Sequence, residues 1–157
     1  MKKRLLSLML ALSMALSLAT TGAWAAGQDF IQVTVTIANQ GAIAVGKNNT
    51  LMAQVPVTVT DRNGDGKFTY DEAMVAAHEA YYVEGKDGFE LNASSGWVTK
   101  LWGETGSSSY YQNNASFSEL VNAQPIENGD DLSAFVYSDP KCSDKYGFFD
   151  QSTVSVQ

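Results

Sequence analysis

The stretch LMAQVPVTVTDRNGDGKFTYDEAMVAAHEAYY, residues 51–82, passes from one periodicity to another across an oxygen-rich loop. From Leu51 to Thr60 the apolar side chains alternate, with Ala53, Val55, Val57 and Val59 on one face, which reads as a half-buried strand. The β-branched residues in this run favour extended backbone over helix. Pro56 falls on the opposite face and has no N–H for a ladder bond, which suits a sheet edge or an early irregular stretch. From about Tyr70 to Tyr82, Met74, Ala77, His78 and Tyr81 follow i, i+3, i+4, i+7 spacing and predict an alanine-rich helix. Between them, Asp61, Asn63, Asp65, Thr69 and Glu72 place side-chain oxygens at positions 1, 3, 5, 9 and 12 of a twelve-residue loop. Gly66 stands at position 6, where a sharp turn excludes a side chain. The order is strand, loop, helix.

The loop resembles the calcium-binding loop of EF-hands, and it fills every fixed position of that pattern. The resemblance implies that Asp61, Asn63 and Asp65 each give one oxygen to a calcium ion. Lys67 would give its backbone carbonyl, Thr69 an oxygen directly or through water, and Glu72 both carboxylate oxygens. A simpler reading is a polar turn closed by a capping box, Thr69 with Glu72. That reading explains Thr69 and Glu72 and leaves Asp61, Asn63, Asp65 and Gly66 without a role. Outside the loop the sequence departs from the EF-hand family, whose loops lie between two helices. Dockerins also carry such loops, but in tandem, and this chain has one. A structural calcium is therefore expected, with no sensor groove.

The chain opens with Lys2, Lys3 and Arg4, an apolar run from Leu5 to Leu18, and the small-x-small site Ala23–Ala25. These read as a cleaved signal peptide over residues 1–25, so a secreted, extracellular domain is expected over 26–157. Beyond residue 25 the chain keeps seven basic and all 17 acidic residues, a net charge of −10. Such a surface disfavours nucleic acid and anionic membrane as partners and accommodates cations. The one cysteine, Cys142, cannot form an internal disulfide, so the domain is stapled by something else or by nothing, and a bound metal is one candidate.

Elsewhere the pattern is mostly strand. Phe30 to Ala38 alternates Ile31, Val33, Val35 and Ile37 against Gln32, Thr34 and Thr36. Glu84 to Ser95 reads as a loop. Gly96–Gly103, Ser109–Asn113, Leu132–Tyr137 and Thr153–Val156 read as strands, with turns at Asn113–Asn114 and Glu127–Asp130. Two strands, a helix and further strands give an α+β fold, a β-grasp-like mixed sheet with one main helix. Gly96-Trp97, Trp102-Gly103, Tyr110-Tyr111-Gln112-Asn113-Asn114, Asn128-Gly129-Asp130-Asp131 and Ala134–Tyr137 resemble the transcobalamin-C-like β-grasp domains of exported Gram-positive proteins. The resemblance spans roughly Phe30 to Asp150. It implies a module that binds a small ligand or partner, without residues that single out a corrin.

No nucleophile elbow, metalloprotease helix, phosphate loop or dinucleotide fingerprint is present, and no enzyme is expected. His78 and Glu79 are adjacent on the helix and diverge, and His78 reads as a packed side chain. The alternative to a purely structural calcium is a calcium-dependent adhesion or small-ligand module, for a surface protein, glycan or cobamide-like ligand. Trp97, Trp102, Tyr110 and Tyr111 would then stack on that ligand. Their competing role is to fill the core.

Overall fold

A computed structural model describes residues 29–92 and 94–145. The leader read over residues 1–25 and the strand read over Thr153–Val156 lie outside them. Alternation carries β1, Ile31–Asn39, and its inward residues Ile31, Val33, Val35 and Ile37 are buried as expected. The chain then reverses through Gln40 and Gly41, both at positive φ, into the short β2, Ala42–Ile43. Next comes β3, Val55–Val59, which lies antiparallel to β1 with Val57 opposite Val33.

The second strand thus begins at Val55 and not at Leu51. Gln54 takes φ +51°, which breaks the alternation, so Met52 is buried and Ala53 exposed. Pro56 sits where the missing donor does no harm, because β3 pairs with β1 alone. The first helix, α1, spans Tyr70–Tyr81.

After α1, β4 (Glu90–Leu91) and β5 (Val98–Lys100) form a small two-stranded sheet. The segment Glu84–Ser95 is therefore not all loop: it holds a 3₁₀ turn at Gly85–Gly88 and β4. The run Gly96–Gly103 is not all strand either. Trp102 and Gly103 have φ +51° and +80°, and Leu101 and Glu104 exchange backbone hydrogen bonds across them, so the chain turns there. β6 (Ser108–Gln112) and β7 (Ala115–Ser116) form a hairpin over Asn113 and Asn114, at φ 53° and 64°. Last comes β8, Asp131–Val136, parallel to β1 and antiparallel to β6.

The main sheet runs β2-β1-β8-β6-β7, with β3 also on β1. A parallel pair at its centre, flanked by antiparallel strands and joined to one helix, is a mixed α+β sheet of β-grasp-like order. Tyr70, Ala73, Met74 and Ala77 of α1 pack with Val33, Val35, Val57, Leu132 and Ala134 in one apolar core. Burying each valine, leucine or methionine of this core contributes about 1.5–3 kcal/mol. The Tyr70 hydroxyl donates to the Ser133 carbonyl at 2.7 Å and pins the helix start to β8. Burial holds that hydroxyl's pKa well above its ordinary value, so it stays a donor. Tyr70→Phe is expected to lower stability by about 1 kcal/mol in urea titration, the net worth of one such bond.

Candidate functional site

The loop between β3 and α1 curls through its own side chains. Both carboxylate oxygens of Asp61 accept backbone N–H groups, from Gly64 at 2.7 Å and Gly66 at 2.8 Å. Asn63 Oδ1 accepts from Asp65 N at 2.9 Å, and Asp65 Oδ1 from Lys67 N at 2.9 Å. Gly64 and Gly66 both hold positive φ, +74° and +81°, which the tight curl requires. Glu72 closes the circuit: Oε1 accepts Arg62 N at 2.6 Å and Oε2 accepts Thr69 N at 3.1 Å. Position 12 is thereby brought back against position 2. The second of these bonds is half of the capping box expected at the helix start.

Asn63, Asp65 and Lys67 are exposed and Asp61 is half-buried, whereas Thr69 and Glu72 are buried. The Thr69 hydroxyl donates to Asp71 Oδ1 at 2.6 Å. Burial raises the Asp71 carboxyl above its usual range, and the Thr69 hydrogen bond partly offsets it. Among the described residues no three Asp, Glu, His or Cys side chains stand together as a metal cluster. The loop's acids are spaced around the curl, each drawn to a backbone N–H. A carboxylate oxygen has two lone pairs, so one such bond leaves each oxygen able to face a cation.

The loop exit is bonded to a second feature. Tyr70 N donates to Gln124 O, Asp71 N to Val121 O, and Ile126 N to Phe68 O, at 3.0–3.1 Å. The first two satisfy helix-start donors that would otherwise be orphaned. All three fix the Leu120–Ile126 segment, which begins at one wall of a cleft of about 370 Å³. Trp97, 69 % exposed, also lines that cleft.

No protein-family model matches the chain, and no curated protein sequence matches it. A crystal structure of haptocorrin in complex with Cbi is distantly similar. The likeness is 15 % in sequence with a TM-score of 0.45, over 70 % of this chain and 26 % of that one. The chain thus spans about a quarter of that protein's length.

The aromatic residues divide between the two roles the sequence allowed. Trp102 is 6 % exposed and belongs to the core, while Trp97 faces solvent. Tyr110 packs edge-on to Tyr70, ring centroids 5.8 Å apart, and Tyr111 contacts Phe135 at 5.6 Å. Burial pushes the Tyr110 hydroxyl up to about 12.

His78 lies wholly inside, among the rings of Tyr82, Phe89 and Trp102, with centroids 5.1–5.9 Å away. Its Nδ1–H donates to Met74 O at 2.7 Å, and its Nε2 accepts Trp102 N–H at 3.0 Å. Both partners demand the neutral ring, and desolvation lowers its pKa to about 4. Cys142 is a free, exposed thiol. No helix among the described residues is long and apolar enough to cross a membrane.

Proposed function

We propose that this chain is an exported calcium-binding module, in which the 61–72 loop holds one mainly structural ion. The observation that carries this is the return of Glu72 to the Arg62 N–H, which curls the oxygen-bearing loop into a ring. Asp61, Asn63, Asp65 and Glu72 would supply side-chain oxygens, Lys67 its carbonyl and Thr69 a direct or water-bridged contact, the donor set a hard cation takes. Asp61, Asp65 and Glu72 bring three negative charges to one loop, and calcium would relieve their mutual repulsion. Bound there, the ion would tie the edge strand β3 to α1. The role is binding and not a reaction. The acidic surface and the leader favour an extracellular setting, where calcium is abundant, over contact with nucleic acid or anionic membrane.

Glu72 is a poor test residue, since its carboxylate also holds the loop and the helix start. Asp65 suits better, because its backbone bond is local to Lys67. Calorimetric titration of the parent with calcium is expected to give a Kd of about 10⁻⁴ to 10⁻³ M. At ten times Kd the ion would add about 1.4 kcal/mol of stability by mass action. Asp65→Ala is expected to weaken binding at least about tenfold while the calcium-free melting point stays within a few degrees. No heat of binding in the parent, or equal affinity in the variant, would sink the assignment.

A further inference from the structure

We propose that the cleft beside Trp97 binds a neutral saccharide. Trp97 is held out on a braced turn. Asn92 Oδ1 accepts the backbone N–H groups of Ser94 and Ser95 at 3.0 and 3.1 Å, and Asn92 N donates to Trp97 O at 2.8 Å. Gly96 is fixed in a left-handed conformation, φ +70°, and a Cβ there would lie 2.6 Å from Leu120 Cδ1. The turn is therefore packed directly against Leu120. Despite that bracing, the indole contacts no other ring among the described residues and 69 % of Trp97 remains exposed. Trp97 lines the cleft together with Phe117 and Leu120, and an aromatic at a concave site points to a ligand where an exposed residue standing alone does not.

The chemistry of the lining selects the occupant. Trp97, Leu120 and Phe117 provide apolar area, and Ser116, Ser118 and Glu119 provide hydroxyl and carboxylate groups. No lysine, arginine or histidine lines the cleft, so a phosphate, sulfate or uronate would gain no counter-charge and would meet Glu119. A purely apolar ligand would strand the serine hydroxyls and the carboxylate. A pyranose satisfies both halves: its C–H face carries partial positive charge and is drawn to the negative face of the indole. Its hydroxyls donate to Glu119 and exchange hydrogen bonds with the serines. The volume, about 370 Å³, suits one or two sugar rings and lies at the small end of ordinary ligand pockets. The open wall admits a chain end or a branch. This assignment does not depend on calcium occupying the neighbouring loop.

The test is intrinsic fluorescence of the protein titrated with neutral trisaccharides of glucose, galactose and N-acetylglucosamine. Sialyllactose serves as the anionic control, with calcium and chelator arms for each. Beyond the leader the tryptophans are Trp97 and buried Trp102, so a ligand-induced change reports on Trp97. At least one neutral sugar is expected to bind, with affinity cut tenfold or more by Trp97→Ala and largely kept by Trp97→Phe. Glu119→Gln should weaken neutral sugars and narrow their margin over sialyllactose. Loss of binding in chelator would add calcium dependence without touching the assignment. Three results would overturn it: no neutral sugar bound at 10 mM, equal binding by Trp97→Ala, or self-association of the parent abolished by Trp97→Ala. The last would give the face to a second copy of the chain.

Discussion

Replacing His78 with alanine is expected to cost roughly 3–5 kcal/mol, enough to unfold a domain of ordinary stability. The imidazole is fully buried and fills the space between α1 and the turn at Trp102. Removing it leaves a cavity among three aromatic rings and strands the Trp102 N–H without its acceptor. Trp102 also holds φ +51°, an unfavourable conformation for a bulky residue, and the bond to His78 Nε2 is part of what keeps it there. The same residue sets a pH dependence. In the fold the ring has a pKa of about 4, against about 6.5 when unfolded, so the native state binds the proton later. Its contribution is complete above pH 6.5 and is lost as the pH falls from there toward 4, about 3 kcal/mol in all. Urea titrations between pH 7 and 4 would show this slope. His78 is the one histidine in the chain, so a single imidazole resonance reports the site. It is expected not to titrate above about pH 5, and a midpoint near 6.5 would refute the account.

The difference between what the residues announced and what they concealed follows the range of the interactions. Alternation in Ile31–Ile37 and the 3.6 spacing of Met74, Ala77 and His78 are local, and they gave β1 and α1 nearly to the residue. The α+β class followed from the order of these elements. The break at Gln54 was hidden, because glutamine is not a usual residue for positive φ. Its N–H is held by the Thr36 hydroxyl across the sheet, 2.9 Å away. Trp102–Gly103 read as strand because tryptophan favours strands, yet a histidine 24 residues earlier receives its backbone N–H and turns the chain. His78 was legible as a packed residue and not as a clamp. The loop was the reverse: its spacing was fully visible, while the bonds that curl it, from backbone N–H groups to Asp61, Asn63, Asp65 and Glu72, were not. Which role each aromatic takes could not be read from spacing, since burial depends on strands far apart in sequence.

Asp130→Ala is expected to lower stability by roughly 3–4 kcal/mol and the urea midpoint by about 2 M. Two short motifs that looked independent in the sequence meet at this carboxylate. Its Oδ1 accepts the Asn113 side-chain amide at 2.8 Å, from the β6–β7 turn. Its Oδ2 accepts Gln112 Nε2 at 2.6 Å and Glu127 N at 2.8 Å. The turn it anchors is also sewn to β1: Gly129 N donates to Gln32 O at 2.7 Å, Thr34 N to Asp130 O at 2.9 Å, and Gln32 N to Asn128 Oδ1 at 2.9 Å. Asn113 completes the exchange by accepting Asp131 N at 2.9 Å. One carboxylate therefore sets where β8 enters between its two neighbours, β1 and β6. Hydrogen bonds to a charged acceptor contribute more than neutral ones, and three converge here on a side chain 9 % exposed. Asp130→Asn separates charge from shape. Its amide would point two hydrogens at groups that are themselves donors, so about half or more of the alanine penalty is expected. Full stability in Asp130→Asn would mean that the carboxylate's charge and second acceptor oxygen contribute nothing, and full stability in Asp130→Ala would mean that the sheet register is held by packing alone. A crosspeak between the Asn113 and Asp131 backbones lost in both variants would tie the energy to this junction.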